Sequence, residues 1–91
     1  MERIQLSRQP GWRKPLGAIV VARRTRWGNP FSVEEYGRAE AVQKFRQSLD
    51  DMPPAAREAY LSPLRGAAGL CCWCRPGESC HADVLIEALG R

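Results

Sequence analysis

At 91 residues and about 10.2 kDa the chain has room for one domain, 1–91, and one modest hydrophobic core. Hydrophobic residues make up 44%, which excludes a disordered tail, and the length excludes a second ligand-binding domain or a fold of eight βα units. The net charge of +4 is uneven: residues 1–33 carry seven Arg or Lys against Glu2 alone, and residues 34–91 carry seven against nine acids, so a basic surface is expected mainly from the first third.

The elements follow in chain order. Arg3–Leu6 alternates polar and apolar side chains and predicts a short strand. Ser7–Gly17 holds Pro10, Gly11, Pro15 and Gly17 and predicts a loop, carrying Arg8, Trp12, Arg13 and Lys14. Ala18–Ala22, apolar and rich in β-branched residues, predicts a buried strand. Arg23–Phe31 breaks that pattern with Gly28, Asn29 and Pro30. Gly37–Leu49 predicts a helix with Val42, Phe45 and Leu49 as its apolar stripe, stopped by Pro53–Pro54. Ala55–Leu61 predicts a second helix with Ala56, Tyr60 and Leu64 facing inward. Leu70–Trp73 predicts a third strand, Arg75–Ser79 a tight loop, and Cys80–Leu89 a last helix with Ala82, Leu85, Ile86 and Leu89 on one face. The order β-β-α-α-β-α predicts a small α/β or α+β domain: about three strands with two to three helices packed on the sheet around one core.

The apolar run Ala18–Ala22 falls far short of the roughly 18–20 residues a membrane span needs, and Met1–Arg13 is polar, without the apolar stretch of a signal peptide. A cytoplasmic location is therefore expected, and no membrane partner. Cytosolic thiols stay reduced, so metal binding or reactivity outranks a disulfide framework for the four cysteines.

The sharpest feature is the stretch LCCWCRPGESCHADVL, Leu70–Leu85. On a strand Cys72 and Cys74 point to one face, and Cys71 with Trp73 to the other. Cys80 and His81 follow a five-residue loop and open a helix. Three readings of the cluster stand side by side. Cys72, Cys74, Cys80 and His81 form a Cys₃His metal set, for which soft thiolates and imidazole suit zinc. The C-x-C and adjacent Cys-His spacings depart from common zinc modules, and both members of the second pair can ligate only if the turn lies outside the regular helix. Alternatively Cys80 is a reactive thiol whose pKa is lowered at a helix N-terminus, with His81 as base and Asp83 as an orienting or catalytic group. On the third reading the cysteines are small buried hydrophobes.

The second feature is Arg23-Arg24-Thr25-Arg26-Trp27-Gly28-Asn29-Pro30-Phe31, which leaves the carboxyl end of one predicted strand as Cys74–His81 leaves another. If those strands are parallel neighbours, the two segments meet across one crevice, where open α/β sheets bind ligands. Arg24 and Arg26 are then expected to hold phosphate, Trp27 to stack on a base or sugar, and Asn29 to hydrogen-bond a base edge, with Thr25 among the ligand-binding residues. The competing reading makes Trp27 and Phe31 core anchors, Gly28-Pro30 a turn, and the arginines solvated.

Arg3–Leu6 (RIQL), the R-x-T-x-W-G-N-P-F block ending at Phe31 and the C-W-C…C-H-A-D-V-L block at Cys72–Leu85 together resemble a family of small bacterial and phage proteins grouped as a domain of unknown function. The likeness covers nearly the whole chain, with the doubled Cys71–Cys72 as the one departure. It implies a stand-alone domain defined by these two blocks, and phage occurrence tilts the expectation toward nucleotides or nucleic acid. The expected function is a small nucleotide-like, phosphate-bearing ligand-binding protein or enzyme whose Cys/His site faces the Arg/Trp/Asn loop. One alternative is a zinc-stapled nucleic-acid-binding module without catalysis, and another is a protein-interaction domain anchored by Trp12 and Trp27.

Overall fold

The computed structural model describes residues 1–90. Three short parallel strands, β1 (Glu2–Gln5), β2 (Ala18–Val20) and β3 (Gly69–Cys72), form one sheet in the order β1-β3-β2. Four helices complete the mixed α/β domain: α1 (Val33–Tyr36), α2 (Arg38–Asp50), α3 (Pro54–Leu61) and α4 (His81–Leu89), with a 3₁₀ turn over Ser62–Leu64.

The central strand is the one that carries the cysteines. Arg3 pairs with Leu70 and Ile4 with Cys71 on one side; Ile19 pairs with Leu70 and Val20 with Cys71 on the other. All four residues of β3 are buried, as a strand flanked on both edges and covered by helices must be. The ladder runs slightly past the strands: Leu6 N–H donates to the Cys72 carbonyl at 2.7 Å, and Val21 N–H to the Cys71 carbonyl at 2.9 Å.

The buried side chains form one cluster. Leu70 and Cys72 project from β3 into it; α2 supplies Phe45 and Leu49, α3 and the 3₁₀ turn Leu61 and Leu64, and α4 Val84, Leu85 and Ala88. Leu64, Leu70, Leu85 and Val21 are fully buried, each worth about 1.5–3 kcal/mol of transfer free energy.

Several expectations shift. The buried stripe of α2 is Ala41, Phe45 and Leu49, a strict four-residue spacing, with Val42 only half-buried beside it. On α3 Ala56 is exposed, Tyr60 is half-buried and Leu61 is the buried residue, at the end of the helix where it runs into the 3₁₀ turn that buries Leu64. Helix α1 was not expected. Ser32 caps it by accepting from Glu35 N–H at 3.3 Å, and Gly37, at φ +80°, divides it from α2. That left-handed backbone is open to glycine at little cost. Among the described residues no helix is long and apolar enough to cross a membrane.

Candidate metal centre and arginine-lined cavity

β3 ends at Cys72, and the chain turns at once into the loop that carries Cys74. Cys80 then sits at the N-cap of α4 in extended conformation (φ −146°, ψ 145°). It therefore lies outside the regular helix, the condition for it and its neighbour His81 to act at one centre. The loop between is held from a distance. Arg3 on β1 donates to the Glu78 carbonyl at 2.7 Å and the Arg75 carbonyl at 2.9 Å, and pairs with Asp83 at 2.9 Å. Arg38 on α2 donates to the Ser79 carbonyl at 3.2 Å and to Cys74 Sγ at 3.5 Å.

The result is a convergence of three sulfurs. Cys72, Cys74 and Cys80 place their Sγ atoms within 4.8 Å of one another, with Cys72 and Cys80 3.4 Å apart. Sulfurs on a tetrahedral zinc, with Zn–S near 2.3 Å, stand about 3.8 Å apart. The spacing and the donor chemistry can therefore hold a metal ion. None of the four cysteines is in a disulfide, and Cys71 is buried apart from the set.

His81, expected as the fourth member, stands beside Cys80 but outside the set whose ligand atoms all lie within 4.8 Å of one another. Its Nε2 lies 2.6 Å from the Val21 carbonyl, which can only accept, so Nε2 carries a proton. In the neutral ring this leaves Nδ1 with its lone pair free, 3.7 Å from Cys80 Sγ. The ring is buried edge-on against Phe45, with centroids 5.5 Å apart.

The thiols divide unequally. Cys74 is held far below the ordinary thiol range, first by hydrogen bonds from Cys72 and Cys80 and then by Arg38. Cys72 and Cys80 are pushed up, Cys72 chiefly by the hydrogen bond it gives toward Cys74 and Cys80 by those it gives toward Cys72 and Cys74. This corrects the expectation of a low-pKa Cys80. The backbone N–H of Ala82 does favour the Cys80 thiolate, but the neighbouring sulfurs and burial outweigh it, and the negative charge settles on Cys74. Asp83 is likewise engaged away from the sulfurs, in its ion pair with Arg3.

β2 and β3 are parallel neighbours, and their carboxyl ends open on a cavity of about 570 Å³. Cys74, Cys80 and His81 line it from one segment, and Arg23, Asn29 and Phe31 from the other. Arg38 and Arg75 add two further cations, and Glu34 and Glu78 two acids. Glu78 is already occupied by Arg75 N–H at 2.9 Å and by Arg38 at 3.7 Å.

Most of the expected ligand-binding residues are used by the fold instead. Trp27 is half-buried against the core, and its indole N–H donates to the Tyr60 carbonyl at 2.8 Å. Thr25 Oγ1 donates to the Ala22 carbonyl at 2.8 Å and closes a turn. Asn29 donates to the Ala41 carbonyl at 3.0 Å and accepts from Phe31 N–H at 3.0 Å, which exhausts much of its amide. Arg26 lies over the Trp27 ring at 5.2 Å, and Arg24 is exposed; neither lines the cavity. Gly28 fits flush against Arg23, where a Cβ would come within 2.4 Å of the Arg23 carbonyl oxygen. Among the cavity residues missed in the sequence are Arg38, Arg75 and Trp73. Arg75 and Trp73 sit inside the cysteine block, whereas Arg38 is 36 residues from Cys74 and gives no local signal.

Fold and site together define a small parallel α/β domain with a three-cysteine centre at the carboxyl edge of its sheet. The chain belongs to the family described as Domain of unknown function (DUF4326), whose model matches residues 4–91. No curated protein and no solved structure matches it.

Proposed function

We propose that this protein is a zinc-stapled domain that binds a small phosphate-bearing ligand. Cys72, Cys74 and Cys80 hold the ion as thiolates, His81 Nδ1 completes the set, and Arg23, Arg38 and Arg75 receive the phosphate. The observation that carries the reading is that three sulfurs converge, and two of their residues, Cys74 and Cys80, line a cavity that three arginines also line. The hydrogen bond from His81 Nε2 to the Val21 carbonyl supports the histidine's part, because an outer N–H held by a carbonyl aims the other ring nitrogen at a metal. Zinc supplies folding free energy to a chain with a small core, and its thiolates need no redox partner. Guanidinium forks match phosphate oxygens, and the cavity falls within the usual 300–1,000 Å³ range of small-molecule sites.

The test has two arms. Purified protein should contain one zinc per chain, with three of four thiols masked until a chelator is added, and X-ray absorption should fit three sulfurs and one nitrogen. Four reactive thiols and no metal would remove the staple. Inorganic phosphate titrated into the zinc-loaded protein should bind, and Arg23→Ala with Arg75→Ala should weaken it; each charge-assisted contact is worth about 1.5–3 kcal/mol, roughly 10- to 100-fold. Steep salt dependence on long oligonucleotides, with no phosphate binding, would favour a nucleic-acid module instead.

A further inference from the structure

The cavity has an aromatic rim that its phosphate side does not explain. Trp73 follows β3 directly and lines the cavity between the sheet edge and Cys74. It is 47% exposed, although it directly follows the buried strand positions Cys71 and Cys72. Its indole N–H makes no hydrogen bond among the described residues, in contrast to that of Trp27. The Arg8 guanidinium lies over its ring at 4.4 Å, which steadies the indole from the loop that follows β1.

Exposing so much of a tryptophan forgoes the burial that Trp27 obtains a short distance away. A half-exposed ring beside an arginine-lined cavity suits a ligand with a flat aromatic part and an anionic part. The arginines that line the same cavity set where the anion goes. A cavity of about 570 Å³ accommodates a single small molecule rather than the path of a strand.

Resting on the phosphate reading above, we infer that the ligand is a mononucleotide, with its base stacked on Trp73 and its phosphate held by Arg23 and Arg75. Asn29, whose amide is bound to Ala41 and Phe31, does not read the base, so the site discriminates weakly among the four bases. Stacking is tolerant in the same way, because every base offers a π-face.

The experiment is calorimetric titration of the full zinc-loaded chain with ribose 5-phosphate and with AMP, CMP, GMP and UMP. Nucleotides should bind roughly 5- to 100-fold more tightly than ribose 5-phosphate, the range base–aromatic stacking supplies. Trp73→Ala should abolish that ratio while leaving ribose 5-phosphate affinity intact, and Trp73→Phe should restore much of it. If ribose 5-phosphate binds and the ratio is unchanged in Trp73→Ala, the stacking inference fails and the phosphate reading stands. If neither ribose 5-phosphate nor any nucleotide binds, both fall. Single-stranded oligonucleotides binding far more tightly than any mononucleotide would overturn the single-nucleotide assignment in favour of a strand.

Discussion

Loading the metal-free chain with zinc should release about two protons per ion near neutral pH. Three thiolates must face the ion, but the folded chain already holds one. Cys74 lies far below the usual thiol range, whereas Cys72 and Cys80 lie above it and remain protonated. Three ordinary cysteines, with pKa values near 8.5, would instead release nearly three protons at pH 7. The count is read by calorimetric zinc titration in buffers of different ionisation enthalpy, whose slope is the number of protons transferred. It should stay near two between pH 6 and 7.5. It should also stay near two in Arg38→Ala, because the hydrogen bonds from Cys72 and Cys80 outrank the guanidinium in holding Cys74 down. Free zinc at 100 times its dissociation constant then adds about 2.7 kcal/mol of stability, a rise of about 10–20 °C in Tm for a domain of this size. A release of three protons would refute the unequal division of the thiols, and no heat of binding would refute the centre itself.

The remaining expectations concern the frame around the centre. Without metal, the chain should lose stability above about pH 9, measured as Tm against pH. Cys71, Cys72 and Cys80 all have raised folded pKa values, so their contribution is complete below the unfolded thiol pKa and is lost as pH rises beyond it, while the contribution of the depressed Cys74 is fully present there and does not cause the fall. A flat alkaline limb would contradict this. Leu70→Ala, at a fully buried position on the central strand, should cost about 2–5 kcal/mol in urea unfolding, and a loss under 1 kcal/mol would mean the cluster is not the core. Arg3→Ala should weaken zinc binding without touching the sulfurs, because it removes the hydrogen bonds that tie the Arg75 and Glu78 carbonyls to β1; unchanged zinc affinity would show that the loop holds itself. Cys71→Ala should leave the metal content at one per chain, since Cys71 stands outside the three-sulfur set.

The sequence made the frame legible where side chains act over short range. Ala18–Ala22 announces a strand through its apolar, β-branched run, though β2 covers only Ala18–Val20 and leaves Ile19 and Val20 half-buried, and the last helix announces itself through its spacing: Ala82 and Leu85 of the expected stripe are buried, Ile86 and Leu89 are half-buried against the core, and His81, Val84 and Ala88 join the buried face. The three cysteines were legible because two spacings and a loop suffice to bring them together. What stayed hidden depends on distant partners. Arg3 meets Glu78 across 75 residues, and nothing near it marks it as more than one polar position in a strand. Helix α1 is four residues long and too short to show a period. The run Leu70–Trp73 predicts a strand through Trp73, but β3 ends at Cys72, and Trp73 lines the cavity instead.

The Arg23–Phe31 block shows why residue type alone misplaces function. Threonine, tryptophan, glycine and asparagine beside three arginines look like a ligand loop, yet each has a structural duty. Thr25 closes the turn after β2, Trp27 ties the loop to the end of α3, Gly28 lets it fold back on Arg23, and Asn29 ties it to α2. The block is a rigid connector between the sheet and the helix that carries Arg38. Its effect on the cavity is therefore positional. Gly28→Ala, which would drive a methyl group into the Arg23 backbone, should weaken phosphate binding as strongly as Arg23→Ala while leaving zinc content at one per chain. Arg24→Ala, at an exposed position off the cavity, should leave phosphate affinity unchanged, and a tenfold loss there would return the binding role to the outer face of the loop.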